Sequence, residues 1–519
     1  MEPPEIPAWF KPTAGRRHCF AASTDREVGS LPLRGSFAWS AGGGKIVVNW
    51  RDFAHATLMT KWMPNPADLH RPVYLSLAGQ ISRAIADGTL QAGSPMPTHR
   101  ALADRLGISV QTVSRAYAEL IRQGLLVGEV GRGTFVRPLK AEPEPPFIPE
   151  RIREIVDLSI LKPVSEAMHR ERMQAALAEL AADLPASVAL AFRPNIALAR
   201  HRALAVDWLC HCRLETAAKN VIVTNGATSA MTMALMTVAR PGGMVVTEEI
   251  GHHTLVPLCS YLGLRLAGLA IDREGVLPEA FERACREGEV NALFVHPNAA
   301  SPTSALMGAA RRAELVELAR RHQVQIIEND AWGPLIESDL PPLAALAPER
   351  TLYLTSLTKC VMPGLRTGFL VVPDQLIPAA ANRHLVTNWM ATALLAEIAA
   401  RWIENGTALS LVGWQRTALR QRQKIAADIL RDLPYSAHPE GLQVWLPLPP
   451  GMREDQFVAQ ARLHGVAIAP GVSFATSPGP GWPAVRIAIG ATSEAELRTG
   501  LGIVADLHRS RPEPTLLAI

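Results

Sequence analysis

The 519 residues predict an α/β protein in two parts: a small N-terminal winged helix-turn-helix, and a large domain on a mostly parallel sheet that ends in a smaller α/β domain. Two observations carry this prediction. Residues 98–117 follow the periodicity of a helix, a turn and a second helix. Farther along, short apolar segments alternate with helical stretches, as in a parallel sheet that is buried on both faces.

Length and composition limit the class of protein. A chain of 519 residues is too long for one hydrophobic core and predicts two or more domains. No apolar stretch approaches the ~20 residues that a membrane span needs, and the N-terminus lacks the apolar segment of a signal peptide. The six cysteines are scattered, and the close pair Cys210 and Cys212 has no second pair to complete a zinc site. We expect a cytoplasmic protein without a membrane partner or a metal.

Changes of composition along the chain predict four segments. Residues 1–58 mix proline, glycine and isolated aromatics, which indicates either disorder or an over-extended start before Met59. Residues 71–139 are expected to form the helix-turn-helix domain. Residues 138–155 are rich in proline, which is typical of a semi-rigid linker. Residues 156–510 are expected to form the large domain, and its smaller α/β part spans about 401–506.

The helices of the N-terminal domain are predicted from spacing and capping residues. An apolar residue every four positions indicates a first helix that ends at Gly88, with Val73, Leu77, Ile81 and Ile85 on one face. Thr98 is expected to cap a second helix that Gly107 ends. Ser109 is expected to cap a third helix, whose inward residues are Val113, Tyr117, Leu120 and Ile121. Two short strands around the glycine-rich turn of residues 128–133 complete a winged helix.

The third helix is the candidate DNA reader, because the second helix of a helix-turn-helix enters the major groove with its N-terminal residues at the base edges. Glutamine and arginine can form paired contacts to bases, and hydroxyls can bind phosphate or base. The candidate DNA-binding residues are Arg100, Ser109, Gln111, Thr112, Arg115 and, at the tip of the wing, Arg132. Residues 71–140 also hold nine Lys or Arg against four Asp or Glu. A winged helix that binds another protein, with these residues merely solvated, is the alternative.

The order of residues in this domain resembles the GntR family of bacterial regulators. The resemblance covers nearly all of 71–137, and its motifs are Gly88-Thr-Leu, Pro97-Thr-x-Arg100, Ser109-x-x-Thr-Val-x-Arg-Ala-Tyr117 and the wing Gly131-Arg-Gly-Thr-Phe-Val136. The resemblance implies that the partner is a double-stranded DNA operator. Val110 stands where many relatives carry arginine, so the resemblance does not imply which bases are read.

The second chemical signal is a lysine that follows an apolar strand. Lys359 can form a Schiff base with pyridoxal phosphate, and Ser356 lies three residues before it. Arg366 follows Pro363-Gly364, a turn that would bring a guanidinium to a phosphate. Residues 224–228 join a strand to an apolar helix, where backbone amides form an anion site. The alternative is that Lys359 is an ordinary surface charge.

This order resembles the fold-type I, pyridoxal-phosphate-dependent aminotransferases, and its fusion to a GntR domain resembles the MocR subfamily of regulators. The resemblance implies that Lys359 forms the internal aldimine. It implies that the phosphate is held by Gly226, Ala227, Thr228, Ser356 and Arg366. It also implies that Arg486 binds the carboxylate of an amino compound. The alternative is that Arg486 is an ordinary surface arginine on a strand. Fold-type I sites are built at a dimer interface, so a homodimer is implied.

Several positions depart from the aminotransferase pattern. Ser301 replaces the asparagine that bonds the ring hydroxyl, Asn329 replaces the aspartate at the pyridinium, and Trp332 replaces a tyrosine. His252 takes the place of the stacking aromatic, and Phe192 that of the tyrosine that reaches the partner's phosphate; His252 and His253 lack the spacing of a metal pair. A carboxylate keeps the ring nitrogen protonated, whereas an amide does so far less. Asp330 could replace Asn329 only if the alignment shifted by one residue, but successive side chains of a strand point to opposite faces, so Asp330 would point away from the ring. We therefore expect weak transamination.

Three functions compete on these residues. The leading hypothesis is a transcriptional regulator that senses an amino compound through aldimine exchange at Lys359, with movement passing through the linker to the DNA-binding domains. The second is an active aminotransferase with an accessory DNA-binding domain. The third is a repressor whose large domain serves only for dimerisation, against which the presence of Lys359, Arg366 and Arg486 argues.

Overall fold

The computed structural model describes residues 62–91, 93–122, 125–129, 133–137, 155–190, 192, 199–476 and 483–510, with two paired strands, β1 (Ala38–Trp39) and β2 (Ile46–Val47). The rest of residues 1–58, the linker apart from its last residue, and Arg132 lie outside the described residues. The chain divides into two compact units, residues 1–149 and 150–519.

The first unit has the predicted winged helix-turn-helix. Its elements are α1 (Val73–Ala86), α2 (His99–Leu106), α3 (Val110–Arg122) and the antiparallel strands β3 (Leu126–Glu129) and β4 (Gly133–Val136). The Thr98 hydroxyl accepts from the Ala101 amide at 3.3 Å, and the Ser109 hydroxyl accepts from the Thr112 amide at 3.1 Å. Gly107 ends α2 in the left-handed region, with φ 65°. These local signals confirm both predicted caps and the predicted end of α2.

The core of this unit is formed by the apolar faces of the three helices. Leu77 and Ile81 of α1 are buried, as predicted, and so are the α3 residues Val113, Tyr117 and Leu120. The Tyr117 hydroxyl donates to the Pro97 carbonyl at 2.8 Å, so the core also fixes the segment before α2. The prediction that Ile121 faces inward is wrong. It is 43% exposed, because it follows Leu120 by one residue and so lies about 100° around the helix from it.

The second unit is built on a seven-stranded sheet with the order β6-β14-β13-β12-β11-β7-β8. Its strands are β6 (Val221–Thr224), β7 (Met244–Glu248), β8 (Arg265–Leu269), β11 (Ala292–Val295), β12 (Gln325–Asp330), β13 (Thr351–Ser356) and β14 (Gly368–Val371). Neighbouring strands are parallel except at β14, which runs antiparallel to β13 and β6. Every residue of β11, β13 and β14 is buried, which confirms the predicted mostly parallel sheet with two covered faces.

Helices surround this sheet, and a smaller layer follows. The helices are α4 (Ala167–Ala182), α5 (Ala186–Ala189), α6 (Ala199–His211), α7 (Ala227–Val238), α8 (Leu255–Tyr261), α9 (Pro278–Glu287), α10 (Ala309–Arg321), α11 (Leu343–Leu346), α12 (Ile377–Asn388), α13 (Ala393–Glu404), α14 (Thr407–Leu430), α15 (Glu454–Leu463) and α16 (Glu494–Arg509). The other strands are β5 (Val156–Asp157), β9 (Ile271–Asp272), β10 (Gly275–Val276), β15 (Ser436–Ala437), β16 (Gln443–Pro447), β17 (Val466–Ala467), β18 (Ala469–Pro470) and β19 (Ala484–Ala488). An antiparallel sheet, β15-β16-β19-β18, forms the smaller layer, and β5 pairs with β17.

A buried arginine fixes the loop that leads from β11 to α10. Arg312 is fully buried, and its guanidinium donates to the carbonyls of Met307 and Pro341, both at 2.9 Å, and to that of Pro297 at 3.3 Å. It also donates to Asn298 Oδ1 at 2.7 Å. Because burial of an unpaired polar group costs free energy, loss of the guanidinium would be unfavourable, although the Pro297 carbonyl also accepts from the Met307 amide at 2.9 Å.

We expect Arg312→Lys to lower the free energy of unfolding by about 3 kcal/mol, because lysine cannot reach these acceptors in a fork geometry. The measurement is urea unfolding of the full chain followed by tryptophan fluorescence. Arg320→Lys is the matched control: it lies on the same helix in an exposed ion pair with Glu349, and its loss costs less than about 1 kcal/mol. Equal effects of the two substitutions would contradict the assignment.

Candidate cofactor site and DNA-reading helix

The predicted cofactor residues meet at one edge of the large sheet. Gly226 follows β6, His252 follows β7, and Lys359 follows β13. Asn329 lies near the end of β12, and Arg366 comes just before β14, whose opposite direction brings its first residue to the same edge. Because the carboxyl ends of parallel strands share an edge, residues far apart in sequence converge there.

An anion cradle forms where β6 passes into α7. Gly226 precedes the helix with φ 84° and ψ 177°, a conformation that favours glycine. A Cβ on Gly226 would lie 3.3 Å from Nη2 of Arg366, so the guanidinium closely approaches the start of the helix. Ala227 and the exposed Thr228 are the first two residues of α7, where backbone amides have no partner within the helix. The predicted phosphate residues thus converge, with Ser356 buried at the end of β13.

Two hydroxyls at this edge were not predicted. Ser229 lies in the first turn of α7, and Thr358 directly precedes Lys359. The side-chain oxygens of both are buried and have no hydrogen-bond partner among the described residues. Ser229 directly follows the predicted anion site of residues 224–228, and Thr358 lies between Ser356 and Lys359, so sequence position could have indicated both. The Ser229 hydroxyl at the helix N-terminus and the Thr358 hydroxyl in the turn after β13 are donors that fit an anionic ligand.

Lys359 is held by the main chain of a segment near the start of the second unit. Its Nζ donates to the Leu161 carbonyl. Burial, together with the nearby charges of Arg486 and Arg366, lowers the pKa of Lys359 to about 8. The side chain is therefore not an ordinary surface lysine. A depressed pKa supplies the neutral amine that attack on an aldehyde requires.

Arg486 lies beside this lysine, on β19. It is 5% exposed, and its Nη2 donates to the Ser159 carbonyl at 2.5 Å. The guanidinium carbon lies 4.7 Å from the centroid of the Phe474 ring. Burial lowers the pKa of Arg486 to about 10, and its Nε has no hydrogen-bond partner among the described residues. The alternative of a surface arginine is wrong, and a free donor is left for an anionic group.

A stack of three imidazoles lines the same site. The ring centroid of His252 lies 5.1 Å from that of His253 and 5.2 Å from that of His296. Burial is the main cause that lowers all three pKa values, to about 4 for His253 and about 3 for His296. The charges of Lys359 and Arg486 lower the pKa values of His252 and His253 further. The stack is therefore uncharged at neutral pH.

The residue at the predicted ring-nitrogen position is an amide backed by a histidine. Nδ2 of Asn329 lies 2.6 Å from Nε2 of His296, and both side chains are buried. Asp330 lies on the other side of the strand, as alternation predicted, and its Oδ2 accepts from the Tyr353 hydroxyl at 2.7 Å. His296 was not predicted, although its place directly after a buried strand was a usable signal.

The two remaining predicted cofactor residues lie on or against one loop. The Trp332 indole is buried and donates to the Ala299 carbonyl at 3.2 Å, so it fixes the loop before Ser301. Ser301 is half-buried and precedes Pro302 through a cis peptide bond. Phe192 is exposed, and its ring lies 5.0 Å from that of Trp389. Roles of these residues toward a cofactor or a second subunit stay predictions.

The predicted DNA-binding residues lie at the start of α2 and α3. Arg100, Ser109 and Gln111 are exposed, and the hydroxyl oxygens of Ser109 and Thr112 lie 2.8 Å apart. Arg115 is exposed, but its guanidinium carbon lies 4.2 Å from the centroid of the Tyr74 ring on α1. Arg115 thus forms a cation–π contact within the domain, whereas the side chains of Arg100 and Gln111 are exposed; Thr112 is half-buried.

Two sequence profiles match the chain on either side of the linker. The family described as aminotransferase class I and II matches residues 157–504. The chain belongs to this family. The family described as bacterial regulatory proteins, gntR family, matches residues 73–136. An aminotransferase domain fused to a gntR-type helix-turn-helix makes the chain a transcriptional regulator of the MocR type, which confirms the predicted resemblance.

Curated relatives have the same arrangement over most of their length. An uncharacterised HTH-type transcriptional regulator, YdeF of Bacillus subtilis, is 26% identical over 86% of this chain and 96% of its own. The pyridoxine biosynthesis regulator PdxR of Corynebacterium glutamicum is 28% identical over 72% of this chain and 82% of its own. The vitamin B6 salvage pathway repressor PtsJ of Salmonella typhimurium is 27% identical over 83% and 96%.

Solved structures confirm the fold of the second unit. An archaeal alanine:glyoxylate aminotransferase aligns with a TM-score of 0.63 at 23% identity, covering 68% of this chain and 90% of its own. A kynurenine aminotransferase of Pyrococcus horikoshii aligns with a TM-score of 0.63 at 20% identity, covering 68% and 90%. Within the described ranges, no helix could span a membrane, and no group of three His, Cys, Asp or Glu could hold a metal ion.

Gly226→Ala should weaken binding of added pyridoxal phosphate by about 10- to 100-fold, because a side chain is strained at this φ and would press on Arg366. The measurement is a titration of the protein with pyridoxal phosphate, in which the change in absorbance reports binding. Gly502→Ala, where a Cβ meets no atom within 4 Å, is the control and should bind as wild type. Unchanged binding by Gly226→Ala would mean that the cradle does not hold the phosphate.

Reaction of Lys359 with pyridoxal phosphate should follow the neutral fraction of its amine. The rate should rise with pH through a midpoint near the pKa of about 8, instead of the ~10.4 of an exposed lysine. Borohydride reduction at each pH followed by mass spectrometry gives the modified fraction, and Lys359→Ala gives the background. A midpoint above about 10 would contradict the proposed environment.

Proposed function

We propose that this protein is a DNA-binding transcriptional regulator that holds pyridoxal phosphate on Lys359 and senses an amino compound there. One observation supports this function above all. The segment of residues 158–162, called the strap below, bonds Lys359 through its Leu161 carbonyl and Arg486 through its Ser159 carbonyl. It follows closely on the predicted linker to the DNA-binding unit. The residues that meet the cofactor and the amino compound are therefore tied to the segment next to the linker.

The donor set fits pyridoxal phosphate. Lys359 would bond its aldehyde, while Arg366 and the amides at the start of α7 would hold its phosphate. The hydroxyls of Ser229 and Thr358 supply buried donors that have no hydrogen-bond partner in the described part of the chain. When bound, the cofactor supplies a carbonyl that captures primary amines reversibly. PdxR and PtsJ are named for regulation of pyridoxine biosynthesis and vitamin B6 salvage, and this vitamin is chemically related to the proposed cofactor.

Arg486 would bind the carboxylate of the amino compound. Its guanidinium is held by one carbonyl and one aromatic face, and a carboxylate would offer two charged acceptors in place of one neutral oxygen. The compound would also displace Lys359 from the cofactor carbonyl. Release of Lys359 would return its amine to the Leu161 carbonyl, and a carboxylate at Arg486 would compete with the Ser159 carbonyl, so binding of the amino compound would alter two hydrogen bonds of the strap.

The strap is anchored so that such a change can be transmitted. The Leu158 amide donates to the Ala467 carbonyl at 2.8 Å, and the Ala488 amide donates to the Leu158 carbonyl at 2.7 Å. These bonds join one end of the strap to β17 and to β19 of the small sheet, while its Ser159 and Leu161 carbonyls accept from Arg486 and Lys359. We infer that the small layer and the strap shift together when the amino compound binds, and that the linker carries the shift to the DNA-binding unit.

A second copy of this chain is proposed to cover an apolar surface of the second unit. Val386 on α12 is 85% exposed, and Leu385, Trp389, Leu190 and Phe192 are also exposed. Large apolar side chains grouped on a surface indicate a partner. A homodimer would place two DNA-binding units on the two half-sites of one operator.

An active aminotransferase remains the second candidate, since Lys359 and Arg486 are both present and buried together. The amide at position 329 weighs against it, because carbanion chemistry needs a protonated ring nitrogen. Transamination at rates on the order of 1 s⁻¹ with any amino acid would favour the enzyme.

The test is DNA binding by the full chain with and without ligand. A duplex would be selected from a random library, and its affinity measured by fluorescence anisotropy with pyridoxal phosphate and each of a panel of amino acids and amines. We expect at least one carboxylated amine to change the affinity by about tenfold or more. Lys359→Ala and Arg486→Gln should bind the duplex but lose this response.

Two controls separate the parts of this function. Gln111→Ala should weaken duplex binding by about tenfold without altering the uptake of pyridoxal phosphate. Arg462→Gln, an exposed arginine on α15, should keep both the affinity and the response. If the protein binds its duplex specifically, takes up no pyridoxal phosphate and shows no response to any amine, that result would contradict the sensing function and support DNA binding alone.

A further inference from the structure

The contact between Asn329 and His296 joins two buried, uncharged groups. Asn329 is 3% exposed and His296 is 6% exposed, and a nitrogen of each lies 2.6 Å from the other. The remaining polar atoms, Oδ1 of Asn329 and Nδ1 of His296, have no hydrogen-bond partner among the described residues. One member of the pair must donate and the other accept, so the tautomer of the imidazole and the orientation of the amide are coupled.

The surroundings keep this pair free of charge. His252 and His253 stack beside His296 on one side, and the Phe294 ring meets it edge-on at 5.3 Å. The one carboxylate bonded to this residue, Glu248, accepts from its backbone amide at 3.0 Å and not from its imidazole. Burial raises the pKa of Glu248 and lowers that of His296, so neither group supplies a counter-charge to the other.

The two possible hydrogen-bond arrangements of Asn329 and His296 differ in the polar atoms that they leave without a partner. If Asn329 donates, the imidazole must carry its hydrogen on Nδ1, and a buried N–H is left without an acceptor. If His296 donates from Nε2 to Oδ1, the lone pair of Nδ1 is left unpaired and the two amide N–H groups need acceptors, one of which the ring nitrogen of a bound cofactor supplies. With the cofactor bound, the first arrangement leaves two N–H groups without an acceptor and the second leaves one, and orphaned buried N–H groups are rarer than under-satisfied acceptors. The amide oxygen and nitrogen exchange places without a change of shape, so the second arrangement fits the same space.

We propose that His296 is a positioning residue that turns the Asn329 amide so that its N–H groups face the ring nitrogen of bound pyridoxal phosphate and keep that nitrogen unprotonated. An N–H donor satisfies the lone pair of a neutral pyridine and repels a pyridinium proton. Lys359, Arg366 and Arg486 already concentrate positive charge at the site, which disfavours a further cation on the ring. This inference rests on the proposed cofactor.

The consequence is a division between two kinds of chemistry. Exchange of one amine for another at the cofactor carbonyl needs no electron withdrawal into the ring. Breaking a C–H bond next to the nitrogen does need it, and an unprotonated ring withdraws electrons poorly. The pair therefore lets the site capture an amino compound reversibly while sparing it from conversion, which suits a sensor.

The test is ¹⁵N NMR of the full chain loaded with pyridoxal phosphate labelled at the ring nitrogen. We expect the wild-type signal at the position of a neutral pyridine across about pH 6 to 9, a window in which the free cofactor and the histidines titrate. In Asn329→Asp the signal should move to the pyridinium position, because a carboxylate stabilises the proton. A pyridinium signal in the wild type would overturn the proposal.

Variants of the histidine test the positioning role. In His296→Ala the amide loses its partner, so the ring nitrogen should titrate within the same pH window. His169→Ala, a buried histidine on α4, is the matched control and should give the wild-type signal. If the signal of His296→Ala stays at the neutral position across the whole pH range, His296 does not position the amide. If that variant does not fold, the Asn329→Asp spectrum still tests the role of the amide.

The loading step separates this inference from the proposed function. Cofactor uptake is seen by absorbance and by borohydride trapping at Lys359 before any NMR spectrum is recorded. Protein that takes up no cofactor overturns the proposed function and this inference together. Protein that binds the cofactor with a protonated ring overturns this inference alone.

Discussion

Two buried cations without an ion-pair partner are the constraint on which the site depends. Lys359 and Arg486 form no salt bridge with any described residue, and main-chain carbonyls of the strap hold both instead. A buried charge with only neutral acceptors costs free energy compared with a fully paired one. The site is therefore prepared for anionic groups, and their arrival must change the bonds of the strap.

The same constraint explains the polarity of the rest of the site. Positive charge near His252 and His253 adds to burial in keeping the imidazoles neutral. A neutral stack can lie close to the two cations without repelling them. An amide at position 329 continues this pattern, since it adds neither a charge nor a proton to the region. The site combines anion-binding donors with an uncharged wall.

The two units differ in whether their candidate functional residues are exposed or buried. The helix-turn-helix buries one apolar face of each helix and caps α2 and α3 with the side chains of Thr98 and Ser109, which leaves the predicted DNA-binding residues Arg100, Ser109 and Gln111 exposed. The second unit buries its functional residues at the edge of a covered sheet. In the function proposed above, communication between them would pass through residues that connect the site to the linker, and the strap is a described segment with that position.

The sequence by itself determined what local interactions decide. Caps, helix periodicity and buried strands depend on neighbouring residues, and their predictions are confirmed apart from that for Ile121. Only the tertiary structure decided which distant groups meet. It placed His296 against Asn329 and Ser159 against Arg486, and it left the hydroxyl of Ser229 without a partner among the residues that the structure describes. These contacts join residues separated by 33 and 327 positions, and chain topology, not local propensity, brings such residues together.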